Sequence, residues 1–167
     1  MHEMTKKNLE AAFAGESMAH IKYLAFADKA EKDGKVNIAK MFRAIAYAEQ
    51  VHATNHLKVL MGVGTTPENL QKAIDGENFE VAEMYAVYDV DAKFQGEKDA
   101  EKSIHYAIEA EKIHSAMYTK AKKSADANKD IELGSMYICP ICGYTHEGEP
   151  HDNCPVCKAK KEIFKKF

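Results

Sequence analysis

The sequence predicts an all-α four-helix bundle followed by a small C-terminal metal-ribbon domain, and three observations carry that prediction. Apolar residues recur at three- and four-residue steps through the first three-quarters of the chain, which is the helical period. Pro67 is the sole proline before residue 140, so long stretches run without a helix breaker. All four cysteines fall between Cys139 and Cys157, as two Cys-x-x-Cys pairs.

The first helix is expected at about 4–32, with Leu9, Phe13, Glu16, His20, Tyr23 and Ala27 along one stripe and Gly34 as its stop. The second is expected at about 37–61, with Asn37 as N-cap and Gly62 and Gly64 closing it. Thr66-Pro67-Glu68-Asn69 reads as an N-cap followed by proline at the first helical position, so a short helix is expected in the connector. A third helix covers about 77–95 and stops at Gly96; a fourth covers about 97–126. The chain then turns polar from Ser124 to Gly134 and loses the helical period. The expected division is a helical domain at 1–126, a linker at 127–134 and a cysteine domain at 135–167.

Composition narrows the function. With 167 residues, 46% hydrophobic and 29% charged, the chain reads as an ordinary globular protein with room for a second small unit. A formal net charge of -3, without a basic run carrying interleaved aromatics, points away from nucleic acid. No stretch approaches the ~18 consecutive apolar residues of a membrane span, and the first residues lack a signal peptide's apolar core. The expected location is therefore the cytoplasm, with no membrane partner. There, clustered cysteines read as metal ligands rather than disulfides.

Two Glu-x-x-His pairs stand in the helices, Glu49/His52 and Glu111/His114. A spacing of three puts both side chains on one helix face, where they can share a metal. Each pair continues an apolar stripe: Met41/Phe42 and Ile45 in the second helix, Ile104, Ile108 and Tyr118 in the fourth. Acids lie on the stripes of the other two helices as well, Glu16 in the first and Glu80 and Glu83 in the third. Any one of these could be a solvated surface acid. Their coincidence on four inward faces matches the two-metal carboxylate arrangement of ferritin-like bundles. Carboxylate and imidazole without thiolate suit iron or manganese. His20, His56 and His105 read as core or supporting residues, and Tyr23 as a core tyrosine within reach of a ligand carboxylate.

The cysteine motifs are Cys139-Pro140-Ile141-Cys142-Gly143-Tyr144 and Cys154-Pro155-Val156-Cys157. Each sets two thiolates on one side of a tight turn, and together they close a tetrahedral site. Tetrahedral sulfur suits both zinc and iron, and spacing alone favours a structural zinc ribbon. So short a segment needs its metal to supply part of its folding free energy.

Taken together, Ala14-Gly15-Glu16-Ser17, Glu49-x-x-His52, Glu80-x-x-Glu83-Met84-Tyr85, Glu111-x-x-His114 and the Cys-Pro-x-Cys-Gly-Tyr tail resemble rubrerythrin over essentially the whole chain. The resemblance implies a ferritin-like bundle with a rubredoxin-like tail, a non-haem di-iron centre and one Fe(SCys)4 iron. It implies Glu16 and Glu80 as terminal ligands, Glu49 and Glu111 as bridges, and His114 on one iron. Glu83 and His52 would exchange on the other iron between oxidised and reduced states, and Cys139, Cys142, Cys154 and Cys157 would hold the tail iron. The implied activity is two-electron reduction of hydrogen peroxide to water, with electrons relayed from an external donor such as rubredoxin or a reductase. One departure is Lys158, where rubredoxins usually have glycine; a positive φ there costs on the order of 1 kcal/mol.

Two rival readings remain open: a ferroxidase or iron-handling protein on the same bundle, and a zinc-ribbon interaction module on a metal-free bundle. The connector also bears on assembly. The second helix is ~37 Å long, and the connector, a short helix plus extended chain, reaches only ~33 Å. A homodimer is expected, with the third and fourth helices exchanged between chains, so that each di-iron site takes residues from both.

Overall fold

Four helical rods and a three-stranded ribbon make up the fold of Met1–Phe167, described here from a computed structural model. The fold class is the expected one, ferritin-like helices followed by a rubredoxin-like ribbon. The residues group into two compact units, Met1–Gly64 and Thr65–Phe167. That division falls inside the stretch expected to form one helical domain.

The first unit is an antiparallel hairpin of α1 (Glu3–Lys32) and α2 (Val36–Val59). Its seam is built from small residues: Ala27, Ala39, Ala46 and Ala53 are the buried positions, letting the backbones approach closely. His20 Nδ1 lies 2.8 Å from the Ala46 carbonyl oxygen, a cross-helix hydrogen bond. Tyr23, Phe26 and Phe42 pack as an aromatic trio with centroids 5.7–6.3 Å apart. The α1 stop is as expected, with Gly34 left-handed at φ 72° and its N–H bonded to Glu31 O.

Three expectations at the helix ends are corrected. α2 begins at Val36 with Lys35 at its cap, so Asn37 is already inside the helix. At the other end the left-handed residue is Met61, φ 54°, rather than a glycine. Gly62 instead lies against Leu57: a Cβ there would stand 2.2 Å from Leu57 Cδ1, and that side chain would have to turn aside. In the next helix the cap is Thr65, one residue earlier than expected. Its N–H bonds Glu68 Oε2 at 2.7 Å as half of a capping box, and Pro67 sits in the first turn, where its missing donor does no harm.

The second unit opens with a single rod rather than a connector helix and a separate third helix. α3 (Thr66–Phe79) passes through a π-helical turn at Glu80–Met84 into α4 (Tyr85–Gln95) without a break. Gly76 costs helix stability of about 1 kcal/mol but does not end the rod. Gly96, φ 74°, does. α5 (Lys98–Asp126) returns alongside, tied to α3 by Ser115 Oγ donating to Asn78 Oδ1 at 2.6 Å.

The ribbon is a sheet of order β2-β1-β3, all antiparallel: β1 is Met136–Ile138, β2 Thr145–Glu147 and β3 Lys165–Lys166. Ile138 faces Thr145 in the register. The ribbon packs on one face of α5, where Tyr106 and Ile113 close over Cys139, Cys142, Tyr144 and Cys154. No helix is long and apolar enough to cross a membrane.

Candidate metal centres

The four cysteines come from two knuckles of matching geometry. Gly143 N–H bonds Cys139 O at 2.9 Å, and Lys158 N–H bonds Cys154 O at 3.0 Å. Both fifth residues are left-handed, Gly143 at φ 78° and Lys158 at φ 66°. The departure at Lys158 therefore carries the strain expected of it, partly offset by Nζ donating to Pro155 O at 2.8 Å. Across the knuckles, Cys139 Sγ lies 3.5 Å from Cys157 Sγ and Cys142 Sγ 3.5 Å from Cys154 Sγ. That is far too long for a disulfide. It fits the edges of a sulfur tetrahedron, about 3.8 Å for metal–sulfur bonds of about 2.3 Å.

Burial pushes the Cys142 and Cys157 thiols up. Burial also opposes ionisation of Cys154, but backbone N–H groups of Cys157 and Val156 outweigh it and hold that thiol below its ordinary value. For Cys142 and Cys157, a cation inside the cage would offset the cost that burial places on the thiolate.

The carboxylates and histidines form two further groups, one in each unit. Glu16, Glu49 and His52 bring their ligand atoms within 4.8 Å of one another in the α1–α2 hairpin. Glu49 Oε2 is 2.9 Å from His52 Nδ1. In the second unit the group is Glu77, Glu111 and His114. His114 Nδ1 lies 2.6 Å from Glu111 Oε2 and 3.8 Å from Glu77 Oε2. Glu77 Oε2 is buried without a hydrogen-bond partner, an orphan atom that a cation would satisfy.

Sequence reasoning did not single out Glu77. It expected Glu80 and Glu83 at this place, and neither belongs to the tight group. Burial, with the Glu111 charge behind it, raises the Glu80 carboxyl, so Glu80 does sense the group. Glu83 stands exposed on the π-turn. The only available signal was the three-residue spacing of Glu77, Glu80 and Glu83, which offers three candidates to one face. Burial first, then Glu111 nearby, pushes the Glu77 carboxyl up to about 8. Tyr23, a candidate partner for a ligand carboxylate, packs in the aromatic trio.

Helices carrying carboxylate–imidazole groups, joined to a tetrathiolate cage, define a non-haem iron protein of the carboxylate type. Residues 7–122 match the family model described as rubrerythrin, and 137–165 match the one for the rubredoxin-like domain of rubrerythrin. The chain is 44% identical to Rubrerythrin-2 of Clostridium acetobutylicum, over 98% of this chain and 97% of that one. It is 34% identical to nigerythrin of Nitratidesulfovibrio vulgaris, over 96% and 85%. Among solved structures, nigerythrin in its fully reduced, all-ferrous state matches with a TM-score of 0.58 at 32% identity, covering 98% of this chain and 86% of that one. The chain belongs to the rubrerythrin family. It carries that family's glutamate–histidine cluster for a di-iron site and its four-cysteine iron site.

Proposed function

We propose that this protein reduces hydrogen peroxide to water by two electrons at a di-iron centre, with the four-cysteine iron passing electrons in from an external donor. The observation that carries the reading lies within the second unit. The cysteine cage is seated directly on α5, and Thr145 of the ribbon touches His114 of the carboxylate group at 2.8 Å. A storage protein has no need of such a donor beside its site.

In this reading Glu16, Glu49, His52, Glu80, Glu83, Glu111 and His114 would hold the two irons, which would supply Lewis acidity and one electron each. The carboxylates would spread the added charge through the number of oxygens they offer. Glu83 and His52 would be the alternative ligands of one iron, the harder carboxylate oxygen suiting a ferric ion and the neutral nitrogen a ferrous one. Glu77, whose Oε2 is buried without a hydrogen-bond partner beside His114 and Glu111, would be a further carboxylate within reach of that centre. The balance is one peroxide, two electrons and two protons to two waters.

The test uses the full chain, iron-loaded and reduced without air. Peroxide consumption should oxidise two electron equivalents of donor per peroxide. Iron mineral accumulating without donor oxidation would make the ferroxidase reading the correct one.

A further inference from the structure

We propose that Thr145 is a positioning residue for the di-iron site: it takes the Nε2–H of His114 and so leaves Nδ1 as the nitrogen offered to the metal. The proposal rests on the reading of His114 as a ligand and adds what fixes its orientation and tautomer.

Thr145 is 5% exposed, the one polar side chain among the buried residues. Its Oγ1 lies 2.8 Å from His114 Nε2 and 3.1 Å from the Gly143 carbonyl oxygen. A hydroxyl has a single proton to give and lone pairs to receive with. The Gly143 carbonyl is an acceptor only, so it takes the threonine proton. Oγ1 then faces Nε2 with a lone pair, and the imidazole must bring the proton to that contact.

The opposite arrangement, threonine donating to Nε2, would put the ring proton on Nδ1. That nitrogen lies 2.6 Å from Glu111 Oε2 and 3.8 Å from Glu77 Oε2; without a metal it donates to Glu111, whereas a metal seated among these carboxylates needs its lone pair, which the ring can offer there while keeping the proton on Nε2. A ligating histidine ordinarily has its second ring nitrogen held in this manner. Here the holder comes from the other metal's domain. The Gly143 carbonyl is aimed by its own knuckle, since Gly143 N–H is tied to Cys139 O. One run of hydrogen bonds thus links the cysteine knuckle to the histidine, and closing the cage around its metal sets the His114 ring.

The variants are Thr145→Val, which keeps the shape and loses the hydroxyl, and Thr145→Ser, which keeps the hydroxyl. The full chain, labelled with nitrogen-15 and loaded with zinc in every site as a diamagnetic probe, is read by the side-chain nitrogen signals of His114. Wild type and Thr145→Ser should show Nδ1 bound to zinc and a protonated Nε2 protected from exchange with water. Thr145→Val should lose that protection and bind zinc at the carboxylate group about 10–100-fold more weakly. Zinc at the cysteines should stay, showing that the ribbon still folds. Unchanged His114 signals and zinc affinity in Thr145→Val, or failure of Thr145→Ser to restore them, would overturn the assignment. If zinc leaves both His114 nitrogens unmoved in the wild type, the ligand reading falls and Thr145's role with it.

Discussion

Single residues decide the chemistry, and Glu77 is the clearest case. Its carboxyl stays protonated in the folded, metal-free chain up to about pH 8, whereas the unfolded chain gives the proton up near its ordinary value of 4.5. Between those pH values the folded state binds more protons, so stability must fall as pH rises. Denaturant unfolding of the metal-free protein from pH 5 to pH 8 should show that decline. Glu77→Gln should flatten it. If Glu83 and His52 exchange as proposed, Glu83→Ala and His52→Ala should each lower peroxide turnover at least tenfold, Glu83→Ala impairing the oxidised form more than the reduced one. Normal turnover in both variants would remove the exchange from the mechanism. The Glu-x-x-His pairs, Glu16 and the cysteines were legible in the sequence because their spacing alone puts them on one face or one turn. Glu77 and Thr145 were not. Glu77 depends on a change of helical pitch, and Thr145 on where the ribbon comes to rest.

At the scale of elements, the π-helical turn explains where periodic reasoning lost its register. It holds an extra residue relative to an α-turn, which rotates everything beyond by ~100°. Glu77 precedes the turn, Glu80 opens it and Glu83 lies within it, so a constant 3.6-residue period cannot assign all three to one face. Such turns gather at functional sites. The boundary expected at Gly76 failed for a different reason: packing against α5 outweighs one glycine's cost. The α1–α2 hairpin, by contrast, depends on small side chains. Ala46 is fully buried and its carbonyl accepts from His20. Ala46→Leu should destabilise the protein by about 1–3 kcal/mol, measured by thermal unfolding, whereas Ala→Leu at an exposed position of the same helix should change little.

For the whole molecule, iron-replete protein should carry about three irons per chain, and Cys142→Ser should remove the thiolate absorption while helical circular dichroism persists. Assembly is the larger question. Because the expected connector helix is part of the α3 rod, only Leu60–Thr65 remains between α2 and α3. Six residues reach at most ~20 Å, and α2 is ~36 Å long. A ferritin-like order requires the chain to return along that length, so the shortfall exceeds the one read from sequence. This strengthens our proposal of a helix-exchanged homodimer, with Glu16, Glu49 and His52 from one chain and Glu80, Glu83, Glu111 and His114 from the other. Mixed dimers of Glu16→Ala and Glu111→Ala chains should recover part of the activity; none returning from demonstrated mixed dimers would mean that each chain builds its own site. The matched cysteine knuckles carry a last consequence. They are near-copies in backbone, but not interchangeable in orientation. A Cβ on Gly143 would already touch Ala110 of α5 at 3.7 Å, while Lys158 is exposed. The ribbon is thus a keyed plug: the glycine knuckle seats against the helix, and on the other knuckle Lys158 faces solvent. Gly143→Lys should unseat the plug, and Lys158→Gly should relax the left-handed residue of its knuckle without moving the ribbon.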